Sequence, residues 1–72
     1  MNYEQSLLAM KELELLLEEQ ERISEQLDLL EKHIDGLNPI YATELFIKIQ
    51  KRSAKVDKRI QELSNQIENQ IN

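Results

Sequence analysis

Few side chains in this 72-residue sequence have the chemistry for catalysis or metal binding. His33 is the only histidine, and Glu31 and Asp35 each lie two residues from it. On a helix, that spacing places both carboxylates on different sides from the imidazole, so the three groups cannot easily share a metal ion. The Glu-x-x-His pair of di-iron helical bundles is missing, as are cysteines and a glycine-rich phosphate loop. We therefore expect no catalytic site, no metal site and no cofactor, in a protein that is not an enzyme.

Charged side chains are numerous and unevenly distributed. The net charge is −5, yet residues 1–36 hold ten acids and three bases, whereas residues 37–72 hold four acids and six bases. Helical spacing gathers acids of the first half into one stripe, which consists of Glu14, Glu18, Glu21, Glu25, Asp28 and Asp35. It gathers the bases of the second half into one face, which consists of Lys48, Lys51, Arg52, Lys55, Lys58 and Arg59. Such rows usually do no more than solvate a helix.

Two binding functions would use these charges. The basic face could follow a phosphate backbone, and the acidic stripe could imitate one and inhibit a nucleic-acid-binding protein. Direct binding is disfavoured because the acidic helix lies alongside the basic face and no aromatic side chains interleave with the bases. A membrane surface would repel the same acidic stripe. We expect neither a nucleic acid nor a membrane as partner, and the acidic inhibitor stays an alternative.

The sequence contains one break between helical segments, at residues 35–39. Gly36 is the only glycine and is predicted to close the first helix in the left-handed conformation. Pro39, the only proline, suits the first turn of a helix and pushes Asn38 out of the helical region. Asn38 is therefore predicted to be the N-cap of the second helix. A connection this short favours an antiparallel arrangement of the two helices.

The predicted fold class is all-α: one domain forming a two-helix antiparallel hairpin, similar to a coiled coil. The first helix is predicted over about residues 2–35, the turn at 36–38 and the second helix over about 39–69. A 3-4 spacing of mostly apolar residues predicts the seam between them. On the first helix the seam consists of Leu13, Leu16, Gln20, Ile23, Leu27, Leu30, Ile34 and Leu37. On the second it consists of Ala42, Phe46, Ile49, Ser53, Val56, Ile60, Leu63 and Ile67.

Folding this hairpin predicts which residues meet across the seam. Leu30 should lie near Phe46, and Glu19 should flank Arg59 at the edge. The polar pair Gln20 and Ser53 should fall in adjacent layers at the middle. We interpret this pair as a polar notch that fixes the register, with a functional groove as the alternative.

Many apolar side chains are left over outside the seam. A two-helix core of this size comes out near break-even against the entropy of ordering the chain, so we expect completion by a second copy or by another protein. Single surface leucines are common, but rows at helical spacing favour an interaction surface. The predicted partner-binding residues are Tyr3, Leu8, Met10, Leu15, Leu17, Leu29, Ile40 and Ile47.

The expected compartment is the cytoplasm. The N-terminus has no signal-peptide pattern, and the longest apolar runs, residues 7–10 and 15–17, are too short to span a bilayer. The lack of cysteine fits a reducing environment.

Over its whole length the chain resembles the small co-chaperones of bacterial type III secretion needle subunits. The similarity lies in its length, its hairpin layout and its leucine-rich first helix. Members of that family pair with a helical-repeat chaperone and keep the needle subunit soluble and unpolymerised before export. The resemblance implies a heteromeric partner, either that chaperone or the needle subunit. It also implies that the docking residues are Tyr3, Leu8, Met10, Leu15 and Leu17.

The leading hypothesis is therefore a non-enzymatic interaction module, most specifically a co-chaperone of the needle type. The main alternative is a homodimeric coiled-coil protein with a structural or adaptor role, in which the second apolar surface joins two copies into a four-helix bundle. A small acidic inhibitor of a nucleic-acid-binding protein is the third hypothesis. A homodimer is expected when the chain is alone.

Overall fold

The computed structural model describes residues 3–71, and nearly all of them are helical. Helix α1 covers Tyr3–His33, a single 3-10 turn covers Ile34–Gly36, and helix α2 covers Pro39–Ile71. The two helices pack against each other as an antiparallel hairpin 51 Å long and 15 Å across. The all-α hairpin predicted from the sequence is confirmed.

The helix bounds differ in detail from the predicted ones. α1 stops at His33 because the chain tightens into the 3-10 turn, where the Leu37 amide donates to the Ile34 carbonyl at 3.2 Å. Asn2, where the first helix was expected to begin, lies outside the described residues. α2 continues to Ile71, whereas its predicted end was about residue 69.

The predicted role of Gly36 is wrong. No residue between 3 and 71 has a positive φ, so Gly36 does not close α1 in the left-handed conformation. The 3-10 turn keeps the chain right-handed through Gly36, and the extended backbone of Leu37 (φ −101°, ψ 151°) then makes the reversal. A Cβ on Gly36 would meet open space, so the turn does not require glycine there.

Asn38 caps α2 as predicted. Its Oδ1 atom accepts hydrogen bonds from the backbone amides of Ile40 at 2.9 Å and Tyr41 at 3.4 Å. These are the second and third residues of the helix, whose amides have no partner within it. Pro39 occupies the first position, where the missing amide costs nothing. The sequence Asn38-Pro39 therefore fixes where α2 begins.

The core is one narrow row along the contact between the helices. Its buried side chains are Ala9, Ile23, Leu30, Ala42, Val56 and Leu63. All but Ala9 belong to the predicted seam, whose first residue was Leu13. Two predicted seam residues next to the turn, Ile34 and Phe46, are instead 49% and 44% exposed. They are exposed because no third element covers this end of the hairpin.

The predicted pairing of Glu19 with Arg59 is wrong. Arg59 binds Glu12 through two hydrogen bonds, from Nε to Oε2 at 2.7 Å and from Nη2 to Oε1 at 3.0 Å. Glu19 forms its cross-helix ion pair with Arg52. Arg59 thus contacts an acid one heptad earlier on α1 than the predicted one.

Gln20 and Ser53 form a hydrogen-bonded layer at the middle of the hairpin. The Ser53 hydroxyl donates to Gln20 Oε1 at 3.4 Å. The Gln20 side-chain amide donates to the Ser53 carbonyl at 3.5 Å and also to the Asp57 carboxylate. No buried side-chain nitrogen or oxygen in the described part of the chain is left without a partner. A shifted register would break these bonds, which agrees with the interpretation of a notch that fixes register.

Replacing Asn38 tests how much the cap at the beginning of α2 stabilises the hairpin. We expect Asn38→Ala to lower the free energy of unfolding by about 1 kcal/mol, because two helix amides lose their acceptor. Urea denaturation followed by circular dichroism measures the change. Asn69→Ala, an exposed position in the last turns of α2, is the control and should leave the midpoint nearly unchanged. Equal midpoints for Asn38→Ala and the wild type would show that the cap does not stabilise the fold.

Candidate protein-binding faces

The hairpin has two long open faces, one on each side of the contact between its helices. We call one the ion-pair face, because the Glu12–Arg59 and Glu19–Arg52 pairs lie along it. Near the turn, Arg52 also borders an open hollow of about 440 Å³ on this face. Its lining is largely apolar and includes Leu29, Leu30, Leu37, Leu45 and Ile49.

We call the opposite side the apolar face. Near the turn it has an open hollow of about 520 Å³, with Leu30 at its base as in the first hollow. The lining residues that lie on this side are Glu31, Ile34, Pro39, Thr43 and Phe46. Leu30 separates the two hollows, so the seam near the turn is open from both sides.

The α1 part of the apolar face carries a row of large exposed side chains. Counting back from Glu31 in steps of seven leads through Ser24 to Leu17, Met10 and Tyr3, which therefore lie on the same side of the helix. Their exposed fractions are 52%, 54% and 78%. The row occupies the half of the hairpin that contains the chain termini.

On α2, the exposed apolar side chains of this face lie in the half of the hairpin that contains the turn. Ile40 and Ile47 lie three residues before and four residues after Thr43, so they neighbour it on the helix surface. Ile40 is 72% exposed and Ile47 is 45% exposed. Together with Ile34 and Phe46 they form a second apolar cluster.

The ion-pair face carries the remaining predicted residues. Leu29 lines its hollow, and Leu8 lies beside Glu12 and Arg59 in a shallower one. Leu15, seven residues from Leu8, shares their row. All three leucines are exposed.

The structure thus leaves all eight predicted partner-binding residues exposed and divides them between two faces. Five lie on the apolar face and three on the ion-pair face. Large exposed apolar residues that the sequence reasoning did not include are Leu7, Ile34, Tyr41 and Phe46. Ile34 and Phe46 were assigned to the seam, and only the position of the turn shows that they are uncovered.

The ion pairs shift the pKa values of their members. Hydrogen bonds from Arg59 hold the pKa of Glu12 below its usual value. Hydrogen bonds from Arg22 and then from Arg52 do the same for Glu19. The pKa of Arg59 is raised, because its charged form is bound by Glu12 and by Glu62 in the next turn. These charges therefore persist across the neutral pH range.

Side chains that could bind a metal ion occur throughout the described part of the chain. No group of three or more His, Asp or Glu side chains between residues 3 and 71 could hold a metal ion. His33 is exposed at the end of α1. None of the described helices has the length and hydrophobicity needed to cross a membrane.

The pKa shifts predict weakening of the hairpin in acid. A carboxyl group whose pKa is lowered in the folded state stabilises the fold above its unfolded pKa, and this stabilisation is lost as the pH falls through the folded value. We expect the urea midpoint to fall between pH 6 and pH 3. The double variant Glu12→Gln with Glu19→Gln should show a smaller fall, because its cross-helix charges are already removed. Equal falls in the variant and the wild type would contradict the role of the two ion pairs.

No protein-family model, no curated protein and no solved structure matches this chain.

Proposed function

We propose that the protein is a non-enzymatic interaction module of the cytoplasm, and that its apolar face binds a different polypeptide. Its specific role would be that of a type III secretion co-chaperone, which helps to keep a needle subunit soluble. The observation that carries the proposal is the apolar face itself. Large apolar side chains are exposed along both helices there, from Tyr3 to Leu17 and around the turn.

A second copy of the chain does not fit this face. The α1 row lies in the terminal half of the hairpin, whereas Ile40 and Ile47 lie in the turn half. A copy lying parallel would set Met10 and Leu17 against the polar second half of α2, including Asp57 and Ser64. A copy lying antiparallel would set the acidic stripe of α1 in one copy against the same stripe in the other. The apolar face is therefore suited to a different partner.

The charges beside the apolar row restrict the chemistry of that partner. Glu14 and Glu21 each follow a row residue, Met10 and Leu17, by four positions, so they border the row on the helix surface. A partner that buries the row brings its own side chains next to these carboxylates. The complementary surface is an apolar stripe flanked by lysines or arginines, as an amphipathic helix presents.

The mechanism is stabilisation by mass action. Burying a large apolar side chain contributes about 1.5–3 kcal/mol relative to leaving it fully exposed, so burial of the row together with the cluster near the turn favours association against its entropy cost. Binding favours the folded hairpin and, at the same time, the soluble state of the partner. A subunit that polymerises through an apolar helix face would be held unpolymerised while the hairpin covers that face.

A pair of matched variants tests this proposal. Met10→Asp with Leu17→Asp places two charges in the apolar row, and we expect it to lose partner capture while its helicity is kept. Leu8 and Leu15 were also expected to dock the partner, but they lie on the ion-pair face. Leu8→Asp with Leu15→Asp makes the same change on the same helix and, under this proposal, should capture the partner as the wild type does. The measurement is affinity capture from the source cells, followed by mass spectrometry.

The outcomes separate the general proposal from the specific one. Capture of a needle subunit or its helical-repeat chaperone by the wild type supports the co-chaperone role. Specific capture of other proteins alone would overturn that role. Undiminished capture by Met10→Asp with Leu17→Asp would show that the apolar face is not the binding surface.

A further inference from the structure

The outer edges of the ion-pair face carry two rows of charged side chains whose signs complement each other. On α1 the row contains Lys11, Glu18 and Glu25, each seven residues from the next. On α2 the row contains Lys48, Lys55 and Glu62 at the same spacing. All six side chains are exposed. The seven-residue step keeps each row on one side of its helix.

The cross-helix ion pairs show which members of the two rows lie at the same height. Lys11 precedes Glu12 by one residue, and Glu62 follows Arg59 by three, so both lie within one turn of the Glu12–Arg59 pair. Lys11 and Glu62 therefore lie at the same height along the hairpin and carry opposite charges.

The same relation repeats along the hairpin. Glu18 and Lys55 lie within one turn of the Glu19–Arg52 pair. Glu25 and Lys48 lie seven residues further toward the turn. At all three heights, α1 and α2 thus carry opposite charges on their outer edges.

These charges do not neutralise each other within the hairpin. The cross-helix ion pairs of the described residues join Glu12 to Arg59 and Glu19 to Arg52, nearer the seam. Glu62 forms its ion pair with Arg59 of its own helix, at 3.2 Å. The two rows point away from each other. Each row can therefore meet the oppositely charged row only on a second hairpin.

We propose that a second copy of this chain covers the ion-pair face. The two hairpins lie parallel, with their turns at the same end, and a two-fold axis runs along their length. This symmetry sets α1 of each copy beside α2 of the other at equal heights. Each of the three pairs, Lys11 with Glu62, Glu18 with Lys55 and Glu25 with Lys48, then forms twice.

The leucines of this face take part in the same contact. Leu29 and Leu45 line one hollow at one height, so the symmetry brings Leu29 of each copy against Leu45 of the other. Leu15 lies at the height of Lys55 and Arg59, whose aliphatic stems can cover it. The interface therefore combines apolar contact near the turn with charge pairs along the outer edges.

The opposite orientation of the second copy is disfavoured by charge. In an antiparallel dimer, α1 would lie against α1 and α2 against α2. Glu18 and Glu19 would then meet their own counterparts, as would Lys51 and Lys55. Only the parallel arrangement gives attraction at all three heights.

This inference does not rest on the proposed function, because it uses the other face. The apolar face stays open in both copies of the dimer. Failure of the dimer would leave partner capture through Met10 and Leu17 unaffected, and the reverse also holds.

Charge-swapped variants test the arrangement. The acid-swapped chain carries Glu18→Lys with Glu25→Lys, and the base-swapped chain carries Lys48→Glu with Lys55→Glu. Each alone places like charges at both contacts of the dimer, so each should have the mass of a single 8.5 kDa chain. An equal mixture should recover twice that mass, because opposite charges meet at both contacts. Sedimentation equilibrium at low salt measures the masses, and circular dichroism confirms that the variants are helical.

A control variant separates this effect from general charge change. Glu14→Lys with Glu21→Lys makes the same charge change on the same helix, but beside the apolar face, and should remain dimeric like the wild type. A monomeric wild type would overturn the proposal. So would swapped chains that dimerise alone, or a mixture that fails to regain the dimer mass.

Discussion

A helix in a two-helix hairpin can bury only one stripe of its surface, and this limit governs the whole molecule. On α1 the buried side chains of this stripe are Ala9, Ile23 and Leu30, which are separated by multiples of seven residues. Everything outside the stripe faces solvent, including the large apolar side chains of both faces. Those residues cannot be covered by the chain itself, and this exposure is what motivates the proposal of a binding partner.

The register of the hairpin decides which surfaces can associate. The Asn38 cap fixes where α2 begins, the 3-10 turn fixes where α1 ends, and the Gln20–Ser53 layer selects one alignment between them. A shift by one turn would separate Glu12 from Arg59 and would change the heights of the outer charges. The polar contacts of the seam therefore specify the pattern that the faces present, more than they add stability.

The sequence predicted the fold class, the Asn38 cap and the exposure of all eight apolar residues, because each depends on local periodicity or capping chemistry. It did not predict the partner of Glu19 or the exposure of Phe46. Periodicity defines the direction of a side chain around its helix, but not the height at which two helices meet. That height depends on the turn, and Gly36 there adopts a right-handed conformation instead of the predicted left-handed one, because glycine tolerates both.

The two faces differ in whether their charges complement those of the same face on a second copy. On the ion-pair face, the outer rows of α1 and α2 carry opposite charges at each height, so a two-fold axis along the hairpin would place each row beside an oppositely charged one. The apolar face lacks this property, because its clusters lie at opposite ends and the bases at the heights of Glu14 and Glu21, such as Arg59 and Arg52, lie on the ion-pair face instead. Charge matching disfavours wrong partners more than it strengthens right ones. The proposed dimer and the proposed binding of a different, basic and apolar partner therefore use separate faces of one hairpin.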